Sequence, residues 1–159
     1  MTAHSPERLA QSPAHAEPVL DELALRIERE LHRDGDRVSE DDGLWVGRLR
    51  RIGAAMVARW GYPGLVESAE LLISELVTNA LRYGADDAIA FRLARAADAF
   101  VIEVDDGSPG RPQVRAAGPD EESGRGMLLV SVVADEWGVS PDGTCTWCLV
   151  KIPQAGQAS

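Results

Sequence analysis

The sequence predicts a two-layer α/β sandwich, with helices covering one face of a mixed, mostly antiparallel β-sheet. Two segments in the first half, residues 44–60 and 66–83, carry apolar residues at the spacing of a helix. In the second half, residues 88–95 and 100–106 alternate apolar with smaller or polar residues, as strands do. With 159 residues and 45% hydrophobic content, the chain can bury one core, so we expect one main domain.

The rest of the main domain follows from local signals. Residues 107–124 are rich in proline and glycine and predict a loop that is long enough to serve as a lid. Residues 126–137 are small or apolar nearly all round and predict a third helix. The "PDG" turn separates "WGVS" from "CTWCLVKIP", which predicts a closing β-hairpin.

Residues 18–33 predict an additional amphipathic helix ahead of the main domain. Five apolar residues recur there at helical spacing, namely Leu20, Leu23, Ala24, Ile27 and Leu31. Such a stripe docks either on its own domain or on a second chain, so a homodimer is one of two interpretations.

The chain therefore divides into four predicted parts. Residues 1–17 lack periodicity and are expected to form a disordered tail. Residues 18–43 hold the extra helix and an acidic linker, "SEDDG". Residues 44–153 form the main domain, and residues 154–159 form a second tail.

The charge balance limits the classes of partner. The formal net charge is -10, which argues against a general nucleic-acid binder or a binder of anionic membranes, because both need a basic surface. The longest apolar run, residues 127–134, is far shorter than the ~20 residues that span a bilayer. No export signal begins the chain, so we expect a cytoplasmic protein.

The two cysteines, Cys145 and Cys148, form the sequence "CTWC". Positions three apart on a strand point to opposite faces, so these thiols are poorly placed to bridge or to share a metal. We therefore interpret them as strand residues rather than as a redox or zinc pair.

The helix predicted over residues 66–83 carries an unusual polar stripe. Glu75, Asn79 and Arg82 fall within about 60° of one another, because a helix advances about 100° per residue. Apolar residues occupy the other directions. Taken alone, the stripe is typical of the solvent side of an amphipathic helix. Arg82 either reaches a ligand or forms a structural salt bridge.

Two further segments carry chemistry-bearing residues. "VDDGSPG", residues 104–110, ends an apolar strand with two acids and a turn, which lets a carboxylate face a cleft. "GRGM", residues 124–127, opens the third helix, where glycine amides and the helix dipole can hold phosphate oxygens.

Together, in this order, these segments resemble the motifs of the GHKL ATPases, which include gyrase, the mismatch-repair and heat-shock chaperone ATPases, and histidine kinases. "ELVTNA" resembles the N box, "DGSPG" and "GRGM" the two glycine boxes, and "GT" at Gly143 and Thr144 the final threonine motif. The resemblance covers about residues 44–153 and implies the Bergerat-type ATP-binding fold. The phrase "AELLISELVTNALRYG" is most similar to the anti-sigma-factor serine/threonine kinases and their stand-alone bacterial relatives.

The resemblance implies a role for three central residues. Asn79 would coordinate Mg²⁺ that bridges the phosphates of ATP, as a neutral oxygen ligand. Glu75 would accept the proton of the attacking hydroxyl, whether of water or of a substrate serine. Asp106 would accept a hydrogen bond from the adenine amino group.

The remaining implied site residues contact the nucleotide through backbone or short side chains. Thr144 would support the hydrogen bonds at the base. Gly110 belongs to the first glycine box, and the amides of Gly124 and Gly126 would hold phosphate. Arg125 either adds charge to the phosphate site or is a solvated side chain.

The chain departs from the family pattern at the first glycine box. Ser108 and Pro109 replace its middle, and proline would stiffen the loop. Asp105 beside Asp106 leaves a one-residue ambiguity, and we assign the adenine contact to Asp106 because of its position in the box.

The resemblance implies an ATP- and Mg²⁺-dependent serine/threonine kinase that phosphorylates an antagonist protein and sequesters a sigma factor. Two alternatives stay open from the residues themselves. One is a non-catalytic nucleotide sensor that alters a protein contact, and the other is an ATPase subunit of a larger GHKL-type assembly.

Overall fold

The computed structural model describes residues 18–28, 40–83, 88–107 and 122–154. Five strands and three α-helices lie in these ranges, in the following chain order. They are β1 (Asp21–Glu28), α1 (Glu40–Arg59), α2 (Val66–Tyr83), β2 (Ala88–Arg95), β3 (Ala99–Asp105), α3 (Glu122–Val133), β4 (Glu136–Val139) and β5 (Cys145–Lys151). A short 3-10 turn, Pro63–Leu65, joins α1 to α2.

The five strands form one sheet in the order β1-β2-β3-β5-β4. Every neighbouring pair in this sheet is antiparallel. The helices pack on one another and on the sheet, so the predicted α/β sandwich is confirmed.

The alternation of side chains along the strands separates two faces of the sheet. On β3, Phe100, Ile102 and Val104 join the main hydrophobic core together with residues of the helices. The intervening residues of β3 face away from the helices, and they include the buried Glu103 and Asp105. One face is therefore an apolar core, while the other holds buried charge.

Helix α2 lies at the centre of the helical layer and contacts both α1 and α3. Gly53 permits the close approach of α1, because a Cβ at this position would overlap the Cδ1 atom of Ile73 on α2. Ile73 is itself fully buried, so it has little room to move aside. The tight α1–α2 contact fixes α2 over β2 and β3.

The amphipathic helix predicted over residues 18–33 is wrong where the structure describes it. Residues 21–28 form strand β1, which pairs with β2 along its whole length. Leu23, Leu25 and Ile27 face the core while the residues between them are exposed, which is a period of two. The sequence "ELALRIE" contains this alternation, although Leu20, Leu23, Ile27 and Leu31 also fit the spacing of a helix.

The segment ahead of residue 44 differs from the predicted extra helix and linker in two respects. Strand β1 belongs to the same sheet as the main domain, so the segment ahead of residue 44 is not a separate addition. Helix α1 begins at Glu40, which places four residues of the predicted "SEDDG" linker inside a helix. Asp42 is only 3% exposed, unlike a residue of a solvated linker.

The second long helix, the two central strands and the closing hairpin are confirmed. The third helix is displaced toward the N-terminus, because it ends at Val133 and not at residue 137. Glu136 and Trp137 instead pair with β5, and this ladder competes with continuation of the helix. The predicted tail over residues 1–17 lies outside the described residues, as do residues 155–159 of the tail predicted over 154–159 and residues 108–121 of the loop predicted over 107–124.

Within the described ranges, none of the helices combines the length and the apolar character that crossing a membrane requires.

Candidate functional site

The polar stripe of α2 lies on the side of that helix that faces α3. Glu70, near the start of α2, forms an ion pair with Arg50 of α1, so its direction on the helix points to α1. Asn79 is nine residues further on, and nine steps of about 100° bring it to about 180° from Glu70. Because α2 is flanked by α1 and α3, Asn79 lies on the α3 side. Glu75 and Arg82 are within about 60° of it.

The stripe is half-buried rather than fully exposed. Glu75, Asn79 and Arg82 each have intermediate exposure, while Leu76 and Val77 beside them are buried. Burial raises the pKa of the Glu75 carboxyl, and the positive charge of Arg82 opposes that shift only in part. Glu75 is thus a carboxyl with a proton affinity above the usual range.

The end of strand β3 distinguishes the two adjacent acids. Asp105 is buried, and its Oδ1 accepts a hydrogen bond of 3.0 Å from the backbone N–H of Gly107. Gly107 has φ = 71°, a left-handed conformation that favours glycine and turns the chain out of the sheet. Asp106 lies two residues after Val104, whose side chain faces the helices. The alternation of side chains along a strand therefore directs Asp106 to the helix-covered side, which supports the choice of Asp106 over Asp105.

The structure joins Asp106 to Thr144, although 38 residues separate them in sequence. The backbone N–H of Asp106 donates to the backbone oxygen of Thr144 at 3.0 Å, which continues the β3–β5 ladder by one pair. The first glycine box and the threonine motif therefore begin at the same edge of the sheet.

Asp142 organises the turn that carries Thr144. Its Oδ1 accepts from the Thr144 hydroxyl at 2.9 Å, from the Thr144 N–H at 3.2 Å and from the Ser140 hydroxyl at 2.6 Å. The single proton of the Thr144 hydroxyl is used in this bond, so its oxygen is left as an acceptor for other groups. Sequence reasoning missed Asp142, although an aspartate two residues before the threonine is the usual signal of such a turn.

Helix α3 carries the second glycine box within its first turns. The helix begins at Glu122, so Gly124 and Gly126 lie inside it, whereas the sequence placed them at its start. The first four N–H groups of a helix have no partner within it. In a helix that begins at Glu122 these include the N–H of Gly124 but not that of Gly126, so the prediction that the Gly126 amide holds phosphate is wrong. Gly110 lies outside the described residues, and the side chain of Arg125 is not described.

The two cysteines confirm the strand interpretation. Cys148 belongs to the main core on the helix side of β5, while Cys145 lies opposite Asp105 on the other face. Burial raises the pKa of both thiols, which suppresses thiolate chemistry.

The donor set suits a metal that is held mainly by a nucleotide. In the described ranges no three His, Cys, Asp or Glu residues converge as a metal cage. Mg²⁺ on a polyphosphate needs only one or two protein oxygens, and the half-buried amide of Asn79 would be a suitable neutral one. The residues present therefore fit Mg²⁺ bound together with ATP.

A family model for the histidine kinase-like ATPase domain matches residues 43–149, which is more than half of the 159-residue chain. The chain belongs to the histidine kinase-like ATPase family. No curated protein gives a match to it. Domains of this family bind ATP, generally with Mg²⁺.

This histidine kinase-like ATPase keeps one strand outside the matched range. The match starts at residue 43, yet β1 pairs with β2 over eight residues and completes the sheet. The family predicted from the motifs is confirmed, whereas the roles of the individual site residues stay predictions.

Proposed function

We propose that the protein is an ATP- and Mg²⁺-dependent serine/threonine kinase that regulates a partner protein. The partner we propose is an antagonist of the anti-anti-sigma type, whose phosphorylation controls sequestration of a sigma factor. One observation carries the catalytic part: Glu75, one turn ahead of Asn79, is half-buried with a raised pKa. A half-buried carboxyl with a raised pKa accepts a proton more readily than an exposed one, as a general base requires.

In the proposed mechanism, the chain positions an attacking hydroxyl and removes its proton. Glu75 accepts the proton of the serine or threonine hydroxyl at its carboxylate, while the hydroxyl oxygen forms a bond to the γ-phosphorus of ATP and the bond to ADP breaks. Asn79 would hold Mg²⁺, which would neutralise charge on the phosphates when bound. Arg82 keeps Glu75 ionised more often than burial alone would allow.

Recognition of the base rests on Asp106 and Thr144. The Asp106 carboxylate accepts from the adenine amino group, and the Thr144 oxygen adds a second acceptor because its proton is bonded to Asp142. Guanine presents an oxygen where adenine presents this amino group, so two acceptors disfavour it. The proximity of the two residues at the β3–β5 edge supports this assignment.

The catalytic role of Glu75 is tested by labelling. Purified protein, radiolabelled ATP and purified candidate antagonists are incubated, and Glu75→Ala is compared with Glu70→Ala. Glu70 lies on the same helix but pairs with α1, so it is a matched control. We expect label on the antagonist with the wild type and Glu70→Ala, and none with Glu75→Ala, while ATP affinity is largely retained.

Other outcomes separate the proposal from its alternatives. ATP binding without label on any candidate, and without release of phosphate, would indicate a nucleotide sensor. Release of inorganic phosphate that depends on Glu75, but no label on protein, would indicate an ATPase. Equal affinity for ATP and GTP would remove the proposed role of Asp106.

A further inference from the structure

The turn between β4 and β5 is held by hydrogen bonds of its own backbone. The N–H of Ser140 donates to the oxygen of Cys145 at 2.8 Å, and the N–H of Gly143 donates to the oxygen of Ser140 at 2.8 Å. Gly143 has φ = 80°, a left-handed conformation that favours glycine. These bonds fix the backbone on both sides of Thr144, which follows Gly143 directly.

Asp142 accepts the hydroxyl protons of two residues of this turn. The hydroxyls of Ser140 and Thr144 donate to its Oδ1 at 2.6 and 2.9 Å. An ionised carboxylate has no proton to give, so each hydroxyl acts as the donor and its oxygen keeps only acceptor capacity for other groups. The Ser140 oxygen uses that capacity, because it accepts from the N–H of Cys145 at 3.1 Å. The Thr144 oxygen is likewise left to accept.

Thr144 and Asp106 form a cross-strand pair at the end of the β3–β5 ladder. Asp105 lies opposite Cys145, and the bond from the Asp106 N–H to the Thr144 oxygen adds the next pair. Side chains directly opposite each other lie on one face of a sheet, with Cβ atoms about 4.5–5.5 Å apart. Asp106 is directed to the helix-covered side, so Thr144 is directed there as well. Two acceptor side chains therefore lie next to each other on that side.

The carboxylate of Asp142 lies in the same negatively charged region as that of Asp106. Burial raises the pKa of the Cys145 thiol, and nearby carboxylates raise it further. These carboxylates belong to Glu103, Asp105, Asp106 and Asp142. The interaction between charges falls with distance, so all four lie close to one thiol. A region of this sign attracts the amino group of a purine and repels an oxygen at the same position.

We propose that Asp142 determines the selectivity for adenine as a positioning residue, because it fixes Thr144 as a hydrogen-bond acceptor. This role rests on the proposed function, in which Asp106 and Thr144 receive the adenine amino group. Asp142 acts through Thr144 and does not contact the nucleotide. Without the carboxylate, the Thr144 hydroxyl has a proton to donate, and it then accommodates a purine that carries an oxygen in place of the amino group.

Nucleotide binding by the full-length protein in the presence of Mg²⁺ tests this role. Calorimetry compares ATP with inosine triphosphate, which carries an oxygen in place of the adenine amino group and lacks the additional amino group of guanine. The selectivity is the Kd for inosine triphosphate divided by the Kd for ATP. We expect the wild type to prefer ATP and the selectivity to fall about three- to tenfold in Asp142→Ala, the usual effect of one hydrogen bond. An unchanged selectivity in the folded variant would overturn the role of Asp142.

Two further variants separate the orientation of the Thr144 hydroxyl from the integrity of the turn. Ser140→Ala removes one bond to the same carboxylate and leaves the Thr144 bond, so the selectivity should stay near that of the wild type. Asp142→Asn keeps an oxygen that accepts from the Thr144 hydroxyl, so it should restore most of the selectivity lost in Asp142→Ala. Thermal unfolding verifies that each variant is folded. Equal losses of selectivity in Ser140→Ala and Asp142→Ala would attribute the effect to the turn alone and contradict the proposal.

A double-mutant cycle tests whether Asp142 acts through Thr144. Thr144→Val removes the hydroxyl and keeps a side chain of similar size. In this background Asp142→Ala should change the selectivity by less than about twofold, because no hydroxyl is left to orient. An equal fall in both backgrounds would show that Asp142 acts independently of Thr144, and the proposal would be wrong.

The proposed function and the role of Asp142 fail in different ways. A wild type that binds ATP and inosine triphosphate equally would remove the reading of the base by Asp106 and Thr144, and the role of Asp142 with it. A selective wild type whose selectivity survives Asp142→Ala would leave the proposed nucleotide site in place and overturn only the role of Asp142.

Discussion

Two regions of this molecule withdraw charged side chains from solvent, and the charges are compensated to different extents in the two regions. On the helix-free face of the sheet, Arg92 is 5% exposed and lies between two acids, 2.9 Å from Glu22 and 3.3 Å from Glu103. On α2, Glu75 is half-buried and its pKa is raised, because desolvation outweighs the attraction of Arg82.

The difference indicates which charge serves the fold and which is available for chemistry. Arg92 and its partners tie β1, β2 and β3 together, so their charges are compensated within the sheet. The charge of Glu75 is compensated only in part, and it lies beside the Asn79 amide on the α3 side of the helix. A partly buried group whose charge is incompletely compensated is typical of a functional site.

The largest expected effect is the loss of phosphoryl transfer in Glu75→Gln. A positioned general base contributes about 10²–10⁴-fold to the rate, and the glutamine amide cannot accept the proton. Turnover of radiolabelled ATP to protein or phosphate measures the loss. The free energy of unfolding at neutral pH should not fall, because the variant removes a desolvated charge. If Glu75→Gln were active and less stable than the wild type, Glu75 would serve the fold and not the chemistry.

Removal of the compensated charge should act on stability and leave the chemistry intact. Arg92→Met leaves Glu103 buried without its cation, so we expect a loss of about 3–5 kcal/mol in the free energy of unfolding. Urea titration measures it, and turnover per folded molecule should be unchanged. Arg50→Met removes an exposed ion pair of 3.8 Å with Glu70 and should cost less than about 1 kcal/mol. Equal losses would show that burial is not the deciding factor.

A smaller effect is expected on nucleotide affinity at the end of β3. Asp106→Asn replaces an acceptor that is charged with an amide, which we expect to weaken ATP binding by about 1.5–3 kcal/mol, or roughly 10–150-fold. Asp105→Asn is the control, because an asparagine oxygen can still accept from the Gly107 N–H. Calorimetry with ATP compares the two. A stronger effect at Asp105 would move the adenine contact to the neighbouring residue.

The smallest effect is the pH dependence of stability that Glu75 contributes. Its pKa in the folded state lies above the ordinary value of 4.5, so its contribution to stability is complete below pH 4.5 and is lost as pH rises through the folded pKa. Glu75→Gln should therefore flatten the stability profile above pH 4.5. Thermal unfolding at several pH values, relative to the wild type, measures the difference. A wild type that gains stability relative to the variant over this range would contradict the raised pKa.

The sequence predicted the core elements because their periodicity is unambiguous. Ile89, Phe91 and Leu93 alternate strictly on β2, and a single apolar face of α2 turns to the sheet. The motif residues Asp106 and Thr144 were also found in sequence, since short motifs fix residue types at strand ends and turns. Their hydrogen-bonded contact depends on the β3–β5 register, which only the structure supplies.

The failures have a common physical origin in tertiary pairing. Residues 21–28 fit both a helical and a strand pattern, and the choice is made by the ladder that β2 offers. The sequence pattern of an apolar helix extends through Glu136 and Trp137, but these two residues pair with β5 instead. The sequence did not predict the ion pairs among Glu22, Arg92 and Glu103, because these residues come from three separate strands.

The pairing of β1 with β2 has a consequence for how the chain is made. Roughly 60 residues separate the end of β1 from the start of β2, and ribosomes add about 5–20 residues per second. The first strand therefore emerges about 3–12 s before its neighbour exists. During that interval its leucines and isoleucine have no sheet to cover, so the nascent chain exposes apolar surface until β2 is made.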